Sequence, residues 1–125
     1  MKVIPRGERG SVTVVAAGML VVLFVLVLGS ADVAKTLAAV ARAQTAADAA
    51  ALAAAQEQVA PTGPDPEAMA REYAASNGGT LVECRCPPDG TEASVDVQAE
   101  VGGLLFLSGV DRVTATARAV VDFGG

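Results

Sequence analysis

The chain has 125 residues and a mass of 12.5 kDa, which is room for one domain of the usual size of about 100–200 residues and excludes a multidomain enzyme. Alanine supplies 26 residues and aromatic side chains only four, while histidine and tryptophan are absent; the commonest general acid/base and metal ligand is missing, so the composition reads as non-enzymatic. The net charge of −5 is divided as +2 over residues 1–11, −1 over residues 12–60 and −6 over residues 61–125, and an acidic globule of this kind repels nucleic acid.

Residues 1–11 hold Lys2, Arg6 and Arg9 against Glu8 and form a basic leader. Residues 12–31, VTVVAAGMLVVLFVLVLGSA, carry no charge; as a helix their length is about 30 Å, the thickness of a bilayer's hydrocarbon core. A soluble helix that is apolar all round needs a larger protein to cover it than this chain supplies. The segment is therefore predicted to span a membrane once. The positive-inside rule puts residues 1–11 in the cytoplasm and the acidic remainder outside. The alternative is a secretory signal cut after Ala31, where Gly29-Ser30-Ala31 offers the small residues that signal peptidase reads. The apolar run is longer than an ordinary signal core of about 7–15 residues, which favours an uncleaved anchor.

Residues 32–60 contain no glycine or proline and are rich in alanine, the best helix former, so the membrane helix is expected to continue to Ala60 as an extracytoplasmic rod. Val33, Leu37, Val40, Ala47, Ala51 and Ala54 define an apolar seam. Its small side chains suit close helix packing, against partner helices or against the protein's own head. Pro61, Gly63, Pro64 and Pro66 stop the rod. A short helix then starts at Asp65 or Pro66 and ends at Gly78-Gly79, with Met69 and Tyr73 expected on its core face. Beyond it the period changes to two. Leu81 to Arg85 forms one strand, and Pro88-Asp89-Gly90 forms a turn. In a second strand Val95, Val97, Ala99 and Val101 face inward, and in a third Val113, Ala115, Ala117, Ala119 and Val121 do. The fold class is α+β: a long N-terminal transmembrane helix running into an extracytoplasmic helix, followed by a small head of one short helix and a three-stranded antiparallel sheet. Residues 61–125 are too few for an independent core, so the sheet is expected to rest on the outer half of the long helix. The loop GGLLFLSG between the last two strands is either a plug over the core or an exposed contact patch.

Little in the chain resembles a catalytic or metal centre. Cys84 and Cys86 are the only cysteines. An intrachain bridge, unpaired thiols and bridges between subunits all remain open, because residues two apart on a regular strand are about 6.6 Å apart and bridging them needs a local bend. No zinc ligand set exists, the double glycines lack the lysine and hydroxyl residue of a phosphate loop, and the acids read as solvated surface, including Asp89, Asp96 and Glu100, whose spacing matches no calcium loop. No cofactor and no small-molecule substrate are expected.

RGERGSVTVVAAGML, the aliphatic run, ARAQTAADAAALAAAQ and the terminal VTATARAVV together resemble the small TadE/TadG-like proteins of tight-adherence (Flp) pilus assembly and related secretion. The resemblance implies a pilin-like membrane protein, a minor pilin or pseudopilin, whose partners are the membrane and other pilus-assembly or secretion proteins. It also implies a candidate prepilin-peptidase bond between Gly10 and Ser11. Such proteins commonly carry glutamate five residues past the cut, where this chain has Val15, a departure that favours a permanently anchored factor.

Overall fold

The computed structural model describes residues 6–105, 109 and 111–122, with side chains from Gly10 onward. Its first element, α1, is a single helix over Arg6–Val59, about 81 Å long at 1.5 Å per residue. The helix starts before Val12 because nothing in Arg6–Ser11 interrupts it: Gly7 and Gly10 lower helix propensity, but an established ladder propagates through them. The head adds α2 (Pro66–Ser76), β1 (Thr80–Arg85), β2 (Glu92–Glu100) and β3 (Arg112–Val120). The strands form one antiparallel sheet in the order β1-β2-β3, so the α+β class and the three-stranded sheet read from the sequence are both present. Pairing slips by one residue between Leu81 and Glu83.

One face of the sheet packs on the outer half of α1. Ala93, Val95, Val97 and Ala99 of β2 and Ala115 and Ala117 of β3 are buried against Ala43, Ala46, Ala47, Ala50, Ala51, Ala54 and Ala55 of α1, with Ala70 and Ala74 of α2 closing the side. Val95 and Val97 are the largest fully buried apolar side chains. A core of alanine gains little area per residue, and its stability rests on close backbone approach over many contacts.

The end of α2 shows how close that approach is. Asp65 caps its start, accepting from the Glu67 N–H at 3.2 Å. At the other end Gly78 has φ +81°, the Gly79 N–H donates to Ala74 O at 2.8 Å and the Gly78 N–H to Ala75 O at 3.1 Å, a Schellman closure. Gly79 lies where a Cβ would stand 2.5 Å from Val97 Cγ1 and 2.7 Å from Ala46 Cβ. Positive φ explains the first glycine, and contact between α1 and β2 explains the second.

Two expectations need correction. The buried face of α2 is Pro66, Ala70 and Ala74, whereas Met69 is half-buried and Tyr73 is 44% exposed; the alanine ridge of α1 sits too near to admit a large side chain between the helices. The acids are not uniformly solvated either. Asp32 and Glu57 are both buried, each stabilised by hydrogen bonds that the sequence pattern does not announce.

Candidate functional site

α1 divides into two halves. Val12, Val15, Met19 and the aliphatic run Leu20–Val27 are exposed throughout, and the helix is long and apolar enough to cross a membrane, with none of its most apolar stretch buried in the protein. The second half is covered by the head along one face, which buries Ala43, Ala46, Ala47, Ala50, Ala51, Ala54 and Ala55. The predicted seam straddles this division: Ala47, Ala51 and Ala54 are buried under the sheet, while Val33, Leu37 and Val40 remain exposed, Leu37 at 63%. The two parts are two heptads apart and drift by only about 40° on a straight helix, so the division follows from where the head sits along α1. A groove of about 660 Å³ runs along the exposed part, lined by Val25, Leu26, Gly29, Ser30, Asp32, Val33, Ala34 and Leu37.

The strand ends and the β2–β3 connection meet α1 at separate levels. Arg42 shares a cleft of about 560 Å³ with Gly78, Thr80, Gln98, Ala99, Glu100 and Arg112, at the edge of the sheet where β2 ends and β3 begins. Further down, the Leu105 N–H donates to Asp32 Oδ1 at 2.9 Å and Lys35 Nζ donates to Gly103 O at 2.8 Å. These contacts join residues 73 and 68 apart, and no local pattern signals them. Leu104 is half-buried and Leu105 exposed; positions 106–108 of the GGLLFLSG loop singled out in the sequence lie outside the described residues.

At the opposite end the acid Glu57 closes the helix. Its carboxylate accepts from the Thr62 N–H at 2.6 Å, the Thr62 hydroxyl at 2.8 Å and the Gly63 N–H at 3.1 Å. Those donors, the Thr62 N–H above all, hold its pKa below the ordinary carboxylate value against the opposing effect of burial. Gln58 Nε2 donates to Pro87 O and Glu92 O at 2.8 and 2.9 Å, clamping both arms of the β1–β2 hairpin. The hairpin turns at Pro87–Gly90, where the Gly90 N–H donates to Pro87 O at 3.0 Å. Just before it, Cys84 and Cys86 are joined by a disulfide with Cα atoms 5.4 Å apart, nearer than a regular strand would place them.

On the outer face of the sheet Arg85 pairs with Asp96 at 3.3 Å and Glu83 at 2.9 Å, and Arg118 with Glu92 at 2.6 Å. The Arg85 guanidinium and the Thr116 hydroxyl lower the Asp96 pKa. These are exposed pairs of small individual worth, and they occupy Asp96, which the sequence grouped with Asp89 and Glu100. Among the described residues no three His, Cys, Asp or Glu side chains come together as a metal site. Gly10 and Ser11 lie within the second turn of α1, and both are exposed.

A bare apolar helix carrying a small α+β head on its far half defines a membrane-associated protein with one helix among the described residues long and apolar enough to span a bilayer. Residues 10–57 match the Tad family model, described as "Putative Flp pilus-assembly TadE/G-like". The TadE-like resemblance of the sequence is thus shown over α1, where both quoted helix segments fall in whole or in large part, and the match includes none of the head. No curated protein and no solved structure is significantly similar to the chain.

Proposed function

We propose that the protein is a pilin-like component, a minor pilin or pseudopilin, of a tight-adherence pilus or a related secretion apparatus. It acts without catalysis, by helix packing and by contacts of its head. Residues 1–11 form the cytoplasmic leader, residues 12–31 the span, residues 32–60 the extracytoplasmic helix and residues 61–125 the extracytoplasmic head. Its partners are the membrane and other pilus-assembly proteins. The observation that carries this reading is the unbroken run of α1 from Arg6 to Val59, with an apolar, uncovered stretch in its first half and the head packed along one face of its second. The exposed Val33, Leu37 and Val40 offer neighbouring helices a surface just above the span.

N-terminal sequencing of the mature protein tests it. A start at Ser11 marks prepilin-type processing between Gly10 and Ser11, and a start at Met1 an anchored assembly factor. A start at Asp32 would overturn the reading in favour of a secreted binding module released by cleavage after Ala31. Photo-crosslinking from Leu37 in intact cells is expected to capture other membrane proteins of the apparatus, whereas a probe at buried Ala51 is not.

A further inference from the structure

We propose that residues 101–105, which follow β2, make a second membrane contact, with Leu104 and Leu105 seated in the lipid interface beside the point where α1 leaves the bilayer. The inference rests on the membrane-spanning reading of residues 12–31. Its first support is position. The edge of the sheet lies level with Arg42, which shares a cleft with Glu100 and Arg112, yet the Leu105 N–H reaches Asp32. That is ten residues down α1, or about 15 Å at 1.5 Å per residue. The loop therefore descends along the helix to the residue that immediately follows the uncharged run.

The second support is how it is fastened. Asp32, only 1% exposed, accepts the Leu105 N–H, and Lys35 Nζ donates to Gly103 O. Two side chains at the mouth of the span thus hold residues 103–105 by their backbone and leave the Leu105 side chain exposed. Leu105 is 60% exposed, an unfavourable state for leucine in water.

The third support is continuity. Val25, Leu26, Val33 and Leu37 line a groove that also includes Asp32, so the Leu105 backbone is fastened to a residue on the edge of an apolar surface that begins in the span. The near end carries Lys35, Arg42 and Arg112 against Asp32, Glu100 and Asp111, and at the far end Arg118 pairs with Glu92. Gly103 uses one of the three donors of the Lys35 ammonium, which leaves donors for phospholipid phosphate at the level where such headgroups lie.

The chain has no tryptophan, so Leu105→Trp creates a single fluorescent reporter. The full-length variant is placed in bilayers of dioleoylphosphatidylcholine with a minority of dioleoylphosphatidylglycerol. Its emission is expected to shift to the blue and to lose intensity with lipids brominated near the glycerol end of the acyl chain. Leu104→Trp is a second reporter, read in the same way, should the first disturb folding as judged by circular dichroism. Val120→Trp, at the far end of β3, is expected to stay unquenched, and Val22→Trp to be quenched most by lipids brominated near the chain terminus. A quenched Val22→Trp beside an unquenched, water-like Leu105→Trp overturns the loop contact and leaves the span intact. A blue-shifted but unquenched Leu105→Trp overturns it in favour of a protein partner. An unquenched Val22→Trp sinks the span and the loop contact together.

Discussion

Gly79→Ala is the sharpest probe of the way this head is built. The added Cβ would lie 2.5 Å from Val97 Cγ1 and 2.7 Å from Ala46 Cβ, while unstrained carbon contacts are about 3.5–4.0 Å. The methyl group is about 1 Å too close on both sides. One neighbour belongs to α1 and the other to the central strand, and each is backed by further packing, so neither moves away freely. Overpacking of this kind costs about 1–3 kcal/mol, and the upper half of that range is expected. Val97→Ala alone removes two methyl groups from a fully buried site and costs about 2 kcal/mol. In the double variant the new methyl enters the space that Val97 vacates, so the combined loss falls short of the sum by about 1 kcal/mol or more. Urea unfolding of the full-length protein in dodecyl maltoside micelles, followed by fluorescence of Tyr73, the only tyrosine, measures all three. A Gly79→Ala variant within about 0.5 kcal/mol of the parent, or a strictly additive cycle, would refute the close-packing account.

Glu57→Gln tests the helix-end clasp through pH. Because the folded pKa of Glu57 lies below its ordinary value of 4.5, the stability it contributes is present above that pH and is lost as pH falls through the lower folded value. The parent should therefore weaken more steeply than Glu57→Gln on acidification below about pH 4.5, and parallel acid profiles would count against the clasp. Replacing both cysteines by serine removes a bridge between residues only two apart. So short a loop constrains the unfolded chain little, and a loss of about 1–2 kcal/mol is expected in the same urea assay. Leu23→Arg places a charge in the middle of residues 12–31 and should raise the free energy of membrane insertion by about 3 kcal/mol. Carbonate extraction of membranes is the measurement, and retention equal to the parent would contradict a lipid-embedded Leu23.

Elements with a strong local period were readable in the sequence. The twofold alternation from Val95 to Val101 and from Val113 to Val121 gave the two long strands and their inward faces, and the proline cluster after Ala60 gave the end of the rod. Failures occurred where distant contacts decide. Met69 and Tyr73 look like core residues on size alone, but the nearness of two alanine-lined helices excludes them. Asp32 and Glu57 look like ordinary surface acids; only the fold brings the Leu105 amide or the Thr62 turn to their carboxylates. The division of the seam between Val40 and Ala47 depends on where the head sits along α1, which helical periodicity does not encode.

The single hydrogen-bonded ladder of α1 also fixes the compass bearing of the head. Because α1 is one continuous helix from Arg6 to Val59, a partner that grips its exposed apolar half sets the heading of the disulfide edge and of the paired arginines on the outer sheet face. One residue inserted between span and head would swing those features by about 100° and lift them by about 1.5 Å. The spacing between Ala31 and Ala43 is thus a gear tooth count: it couples rotation of the apolar half of α1 to the direction in which the head is presented.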